Sequence, residues 1–363
     1  MKKINIAVLM GGRTAEHAIS LKSGTMVVNH LDRRRYNVTP VVISRGGRWY
    51  VPRGYLGPRE WSPVHGRSGG QRFLPVGEAL GRLLGDRVDC VFIAMHGPYG
   101  EDGTVQGMME MLDLPYTGSD VCASSLAMDK VKAKEIYRCN RIPTPPALVL
   151  DASEWGKNRK SHLGRIREAI GYPCFLKPVR LGSSVGLTIC RNQAELLRKM
   201  PTSLRYGGRI LVEAYVEGRE LTCAVLDTPG GKPAIALPPT EIIPQTRTWF
   251  DYHAKYTPGA SREITPAPIG KALATRVQDI ALRAHRALGC SGMSRTDMIV
   301  RRGRLHVLET NTIPGMTDVS LFPQAASAAG LSFPKLLDRI IATGMEAHRR
   351  RRRYNRVRQG TTA

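Results

Sequence analysis

No apolar run among the 363 residues approaches the roughly 18–20 that a membrane-spanning helix needs. The opening Met1-Lys2-Lys3 and the apolar stretch Ile4 to Met10 superficially match a secretion signal. That stretch is short and runs into Gly11-Gly12-Arg13 with no small-residue cleavage site, so it reads as a first buried strand. CxxC spacing is missing. The seven cysteines (Cys90, Cys122, Cys139, Cys174, Cys190, Cys223 and Cys290) are scattered and odd in number. That argues against a disulfide framework or zinc site and sets a reducing cytoplasm as the expected location. No Walker A loop, GxxxxGK[ST], occurs. Nor do the glycines after the first strand spell GxGxxG with an acid about 20 residues on, which argues against a nicotinamide dehydrogenase. There is no internal repeat.

Acidic residues are scarce relative to basic ones, 30 against 54, giving a formal charge of +24. Such an excess points to an anionic ligand or partner. Seven of the basic residues, Arg349 to Arg353 with Arg356 and Arg358, follow Ala347 with no acid among them, and the rest are dispersed. The last 15 residues are expected to be a disordered, solvated appendage, with membrane-surface or nucleic-acid contact as the secondary reading. The chain as a whole, 42% hydrophobic and 23% charged, has the composition of a globular enzyme.

A β-branched run at Ile4 to Leu9, a glycine turn, a helical pattern to about Leu31 and a second strand at Asn37 to Ser44 predict an open α/β sheet. Val88 to Ala94 suits a buried parallel strand. Beyond the prolines at 143–146, Pro173 to Lys177, Ile210 to Tyr215 and Glu220 to Leu226 read as strands, and Lys271 to Leu288 as a helix stopped by Gly289. Met298 to Val300 and Leu305 to Leu308 predict a hairpin, and Phe333 to Met345 a final helix.

Three segments carry chemistry. His96-Gly97-Pro98-Tyr99-Gly100-Glu101-Asp102-Gly103 follows an apolar strand and forms a tight loop where backbone can approach a ligand. Lys177, then Gly182-Ser183-Ser184-Val185-Gly186, offer a cation, hydroxyls and N–H groups, as a polyphosphate requires; a plain surface loop would read the same way in isolation. Asp297, with Glu309 and Asn311 on the facing strand of the hairpin, places hard oxygen donors together, as Mg2+ prefers. Pro314-Gly315-Met316 follows as a turn that could aim an N–H at an oxyanion.

In this order, over Ile4 to Ile341, these segments resemble the D-alanine–D-alanine ligase family of the ATP-grasp superfamily. Gly11 to His17, Met128-Asp129-Lys130 with Lys134, and Trp249 to Tyr256 complete the series. The resemblance implies an α/β, three-domain ATP-grasp fold. Its units would be an N-terminal open parallel α/β substrate domain (1–120), a central domain (121–212), a C-terminal catalytic domain (213–347) and the basic tail (348–363), with ATP clasped between the last two domains. It implies ATP-dependent joining of two D-alanines through a D-alanyl phosphate, for peptidoglycan precursor synthesis, with two Mg2+ ions that Mn2+ can replace. Homodimers are common among such proteins.

The resemblance assigns Lys130, Lys177, Ser183 and Ser184 to the phosphates, and Glu213, Ala214, Val216 and Glu220 to the adenosine pocket. It assigns Asp297, Glu309 and Asn311 to the metals, Glu16 to the first D-alanine's ammonium, and His96 to substrate binding. Arg295 and the Gly315 N–H would stabilise the tetrahedral intermediate, and Ser320 with the Leu321 N–H would grip the second carboxylate. Lys255 would reach the transferred phosphoryl, and Tyr256 would close a triad with Ser183 and Glu16. For His96, orientation of its loop outranks acid–base chemistry. A ligase joining D-alanine to D-lactate or another D-amino acid is the alternative, against which Tyr256 argues. An inactive ligase-like protein binding an anionic partner would have lost metal or phosphate residues, and none is lost.

Overall fold

The computed structural model describes residues 2–57, 60–63, 72–182, 186–245 and 261–358. The N-terminal unit contains β1 (Ile4–Gly11), α1 (His17–His30), β2 (Tyr36–Ile43), β3 (Trp49–Tyr50), α2 (Val76–Gly85), β4 (Cys90–Ile93) and α3 (Thr104–Met111). Its sheet runs β3-β2-β1-β4, with β1 parallel to both neighbours. A strand flanked on both sides and covered on both faces must be apolar throughout. Accordingly, Ile6 to Gly11 are all buried. Gly24 of α1 lets the helix lie against β1: a Cβ there would sit 2.5 Å from Met10 Cβ.

Next come α4 (Val121–Met128), α5 (Lys130–Cys139), β5 (Ala147–Asp151), α6 (Ala152–Lys157), α7 (Arg159–Ala169), β6 (Cys174–Pro178), β7 (Thr188–Cys190), α8 (Gln193–Leu204) and β8 (Arg209–Ala214). The strands form an antiparallel sheet, β5-β8-β6-β7, with its own small core around Leu176, Leu196, Met200 and Val212. The last part adds β9 (Arg219–Thr228), β10 (Lys232–Ala236), β11 (Thr240–Pro244), β12 (Ser261–Ile264), α9 (Lys271–Ala287), β13 (Met293–Arg301), β14 (Arg304–Asn311), α10 (Leu321–Ala328) and α11 (Phe333–Arg358). Here the order is β12-β11-β9-β13-β14, with β10 also on β9. One open α/β sheet and two antiparallel sheets with helices match the expected fold class.

Packing cuts across the sequence order. Ala127, Ala133 and Tyr137 of α4 and α5, which sequence places in the central unit, join the core of the six-stranded sheet with Val277, Ala281 and Val307. Tyr137 also donates to Thr310 Oγ1 at 2.8 Å. Phe322 of α10 and Leu336, Leu337, Ile340 and Ile341 of α11 share one core with the N-terminal strands.

The tail corrects an expectation. Helix α11 does not end near Met345 but continues to Arg358, so disorder beginning at 349 is wrong for residues 349–358. Arginine is a good helix former, and this stretch finds acids on the N-terminal unit. Arg352 Nε lies 3.2 Å from Asp113, Arg351 Nε 3.8 Å from Glu110, and His348 Nε2 3.4 Å from Asp113. The Arg351 guanidinium stacks 4.6 Å over the Tyr116 ring.

Candidate active site

A cavity of about 350 Å3 opens between the two antiparallel sheets. Sheet geometry supplies its walls. β6 and β8 contribute Lys177 and Glu213, and the strand exit after β8 contributes Ala214 to Val216. From the facing sheet come Glu220, Ile242, Asp297, Ile299 and Glu309. Lys130, at the start of α5, completes it, its helix capped by Asp129 through the Val131 and Lys132 N–H groups. Apolar walls thus lie beside a charged end, as a base and a polyphosphate together require.

Charges at that end are paired. Buried Glu213 lies between Lys134 and Lys177, and Lys130 Nζ is 3.4 Å from Glu309 Oε2. Burial alone would raise the Glu213 carboxyl; the two ammonium groups more than offset it and hold it below its ordinary range. Burial depresses Lys134, helped by the Lys177 charge and opposed by Glu213. Arg295 meets Asp297 with two bonds of 3.0 Å. Asp297 also accepts from Thr222 Oγ1 at 2.6 Å and Asn311 Nδ2 at 3.2 Å. Register explains the meeting: Asp297 pairs with Glu309 and Arg295 with Asn311 across the hairpin. Among the described residues no three His, Cys, Asp or Glu side chains gather as a metal cluster. The expected set is two carboxylates and an amide, hard oxygen donors of the kind Mg2+ takes alongside phosphate.

At the other end, the His96 loop meets the β1–α1 turn and the segment after β14. Glu16 is buried, and its N–H is fixed by Thr14 Oγ1 at 2.9 Å. Only glycine fits at position 97: φ is +72° and a Cβ would lie 2.4 Å from Glu16 Oε2. Gly182, leading into the glycine-serine loop, also approaches Glu16; a Cβ there would lie 3.1 Å from the same oxygen. Glu101 accepts from the Gly97 N–H at 2.7 Å and the Ile313 N–H at 3.4 Å. Burial, then the Glu16 charge, push its carboxyl up to about 8. His96 is held down by burial and by Arg295, against Glu16 and the Ile313 carbonyl. Its ring nitrogens face Ser23 Oγ at 2.9 Å and Ile313 O at 3.2 Å. Both ring nitrogens are therefore within hydrogen-bond reach of protein groups. A Cβ on Gly315 would come within 2.7 Å of Ser320 Oγ, which accepts from the Thr317 N–H at 3.0 Å. Ser320 stands at the N-cap position of α10, so the Leu321 N–H opens that helix.

Ser183, Ser184, Lys255 and Tyr256 lie outside the described residues. Sequence reasoning gave no role to Ser23, Glu101 or Lys134. Glu101 and Lys134 nonetheless lie in segments that carry the resemblance, the His96 loop and the stretch from Met128 to Lys134, whereas nothing in the sequence pointed to Ser23.

The description "D-ala D-ala ligase N-terminus" matches residues 5–119, and "D-ala D-ala ligase C-terminus" matches residues 136–342. The chain belongs to the D-alanine–D-alanine ligase family. It is 42% identical over 348 residues to the D-alanine--D-alanine ligase of Syntrophobacter fumaroxidans, covering 95% of this chain and 99% of that protein. Among solved structures of similar proteins is the D-alanine-D-alanine ligase of Coxiella burnetii, with TM-score 0.83, 32% identity and 99% of each chain covered. Another is the VanG D-Ala:D-Ser ligase of Enterococcus faecalis, with TM-score 0.77, 31% identity, and 94% of this chain and 100% of that one covered. The ATP-grasp ligase architecture and the ATP-dependent carboxylate–amine ligase class follow from membership. So does use of ATP and Mg2+. Among the described residues no helix is long and apolar enough to cross a membrane.

Proposed function

We propose that the chain joins two D-alanines to D-alanyl-D-alanine, with ATP split to ADP and phosphate. The observation that carries this reading is the groove in which a nucleotide-sized cavity ends in paired lysines and carboxylates, next to Arg295 and the His96 loop. A carboxylate is a poor acyl donor. Transfer of the ATP γ-phosphoryl to the first D-alanine gives an acyl phosphate with a good leaving group. The neutral amine of the second D-alanine attacks its carbonyl, and phosphate leaves as the tetrahedral intermediate collapses.

Residue roles follow. Ala214 to Val216 and Glu220 receive adenosine, and Lys130, Lys177, Ser183 and Ser184 receive the phosphates. Asp297, Glu309 and Asn311 would hold Mg2+, which when bound neutralises the polyphosphate. Glu16 takes the donor's ammonium. Arg295 and the Gly315 N–H face the oxyanion; Arg295 stays charged at any working pH. Ser320 and the Leu321 N–H, at a helix start, hold the acceptor's carboxylate. Lys255 and Tyr256 exclude water from the acyl phosphate. The enzyme works as a cytoplasmic homodimer.

The test is ADP release with ATP, Mg2+ and D-alanine, with product identified by mass, then competition by D-serine and D-lactate. D-alanyl-D-alanine as the main product supports the reading. Release that requires D-serine or D-lactate moves it to another acceptor. No release from folded, ATP-binding protein overturns it.

A further inference from the structure

One buried serine touches the turn that carries Gly315. Ser23, inside α1, has no exposed surface. Its Oγ lies 2.9 Å from His96 Nε2 and accepts the Met316 N–H at 3.2 Å. The direction of each bond is dictated. The Ile313 carbonyl can only accept, so His96 Nδ1 carries the proton across that 3.2 Å contact. Burial keeps the ring neutral, so Nε2 has a lone pair and takes the Ser23 hydroxyl proton. That leaves the Ser23 oxygen as acceptor for Met316. From the other side Glu101 accepts the Ile313 N–H. Residues 313 and 316, which bracket Gly315, are thus both pinned by side chains of the N-terminal unit.

We propose that Ser23 is a positioning residue for amide bond formation, fixing the Pro314-Gly315 turn through His96 and the Met316 N–H so that the Gly315 N–H points at the oxyanion. His96 is a neutral strut in this arrangement and not a proton carrier. The inference rests on the ligase reading. It separates the two halves of the reaction: the turn serves attack on the acyl phosphate, not its formation.

Ser23→Ala tests it, with Ser23→Cys as a variant of similar size that keeps a weak donor and acceptor. Three quantities are compared with wild type. They are dipeptide formation, bridge-to-nonbridge scrambling of 18O-labelled ATP with D-alanine (which reports acyl phosphate formation), and hydrogen exchange of the Met316 amide. In Ser23→Ala, dipeptide formation should fall about 10-fold, less than the ~10²–10³ for losing an oxyanion donor outright. Scrambling should stay within about twofold, and the Met316 amide should lose protection. Ser23→Cys should fall between. Parallel loss of scrambling and dipeptide formation would make Ser23 merely structural and overturn the proposal. So would an unchanged dipeptide rate or an unchanged Met316 amide. Wild-type protein giving neither scrambling nor dipeptide would refute the ligase reading instead, while Met316 exchange would still report whether Ser23 holds the turn.

Discussion

The two ends of the groove are built by different physics. At the nucleotide end every named cation leans on a carboxylate: Lys130 on Glu309, Lys134 and Lys177 on Glu213, Arg295 on Asp297. An arriving polyphosphate competes for cations that are already engaged. At the amino-acid end, Glu101, His96 and Ser23 are held mainly by backbone N–H and C=O groups, whose positions do not depend on ligand. The first end offers charges that a ligand can re-pair, whereas the second holds its side chains by backbone hydrogen bonds, the fixed kind of arrangement that oxyanion stabilisation favours. Charge pairing there and hydrogen-bond rigidity here should break in different ways.

The largest stability effect should come from the paired end. Lys134→Met leaves buried Glu213 with one cation and should cost about 3 kcal/mol in denaturant unfolding, as for breaking a buried ion pair. Arg295→Ala should lower kcat about 10²-fold or more, with ATP affinity nearly unchanged in a binding titration. Normal turnover would remove Arg295 from the oxyanion. Next is Glu101→Gln. Because the folded protein raises this carboxyl to about 8, its stabilising effect is present in acid and fades as pH rises towards and through that value. Melting curves from pH 5 to 9 should therefore show the variant gaining on wild type as pH rises; a constant difference would contradict the burial argument. Truncation after Ala347 should be smallest. It removes the Arg351–Tyr116 stack and exposed ion pairs, and should lower Tm by about 2–4 °C in calorimetry with kcat unchanged.

What could be read from the chain was local. The β1 run, the His96 loop and the β13–β14 hairpin each declare themselves within about a dozen residues, through period-2 patterning and glycine spacing. The period-2 pattern put Glu309 and Asn311 on one side, but not the pairing of Asp297 with Glu309, which depends on a register shift between Asp297 and Met298. What sequence did not yield depends on distant partners. Ser23 looks like any small residue of a helix until Met316, 293 positions on, donates to it. The apolar faces of α4 and α5 gave no sign that Ala127, Ala133 and Tyr137 belong to the core of the six-stranded sheet. The arginines of α11 read as a solvated tail because their acids, Glu110 and Asp113, lie more than two hundred residues earlier.

The shared core of the N-terminal strands with α10 and α11 has a mechanical consequence. Separating those two units would expose Phe322, Leu336, Leu337 and Ile340 together, at about 25 cal/mol per Å2 of apolar surface. The β5–β8 sheet carries a separate core, and its apolar contact with α5 is a small cluster of Val131, Val179 and Leu211. Moving the central sheet against the rest would therefore uncover less apolar surface than parting the N-terminal strands from α10 and α11.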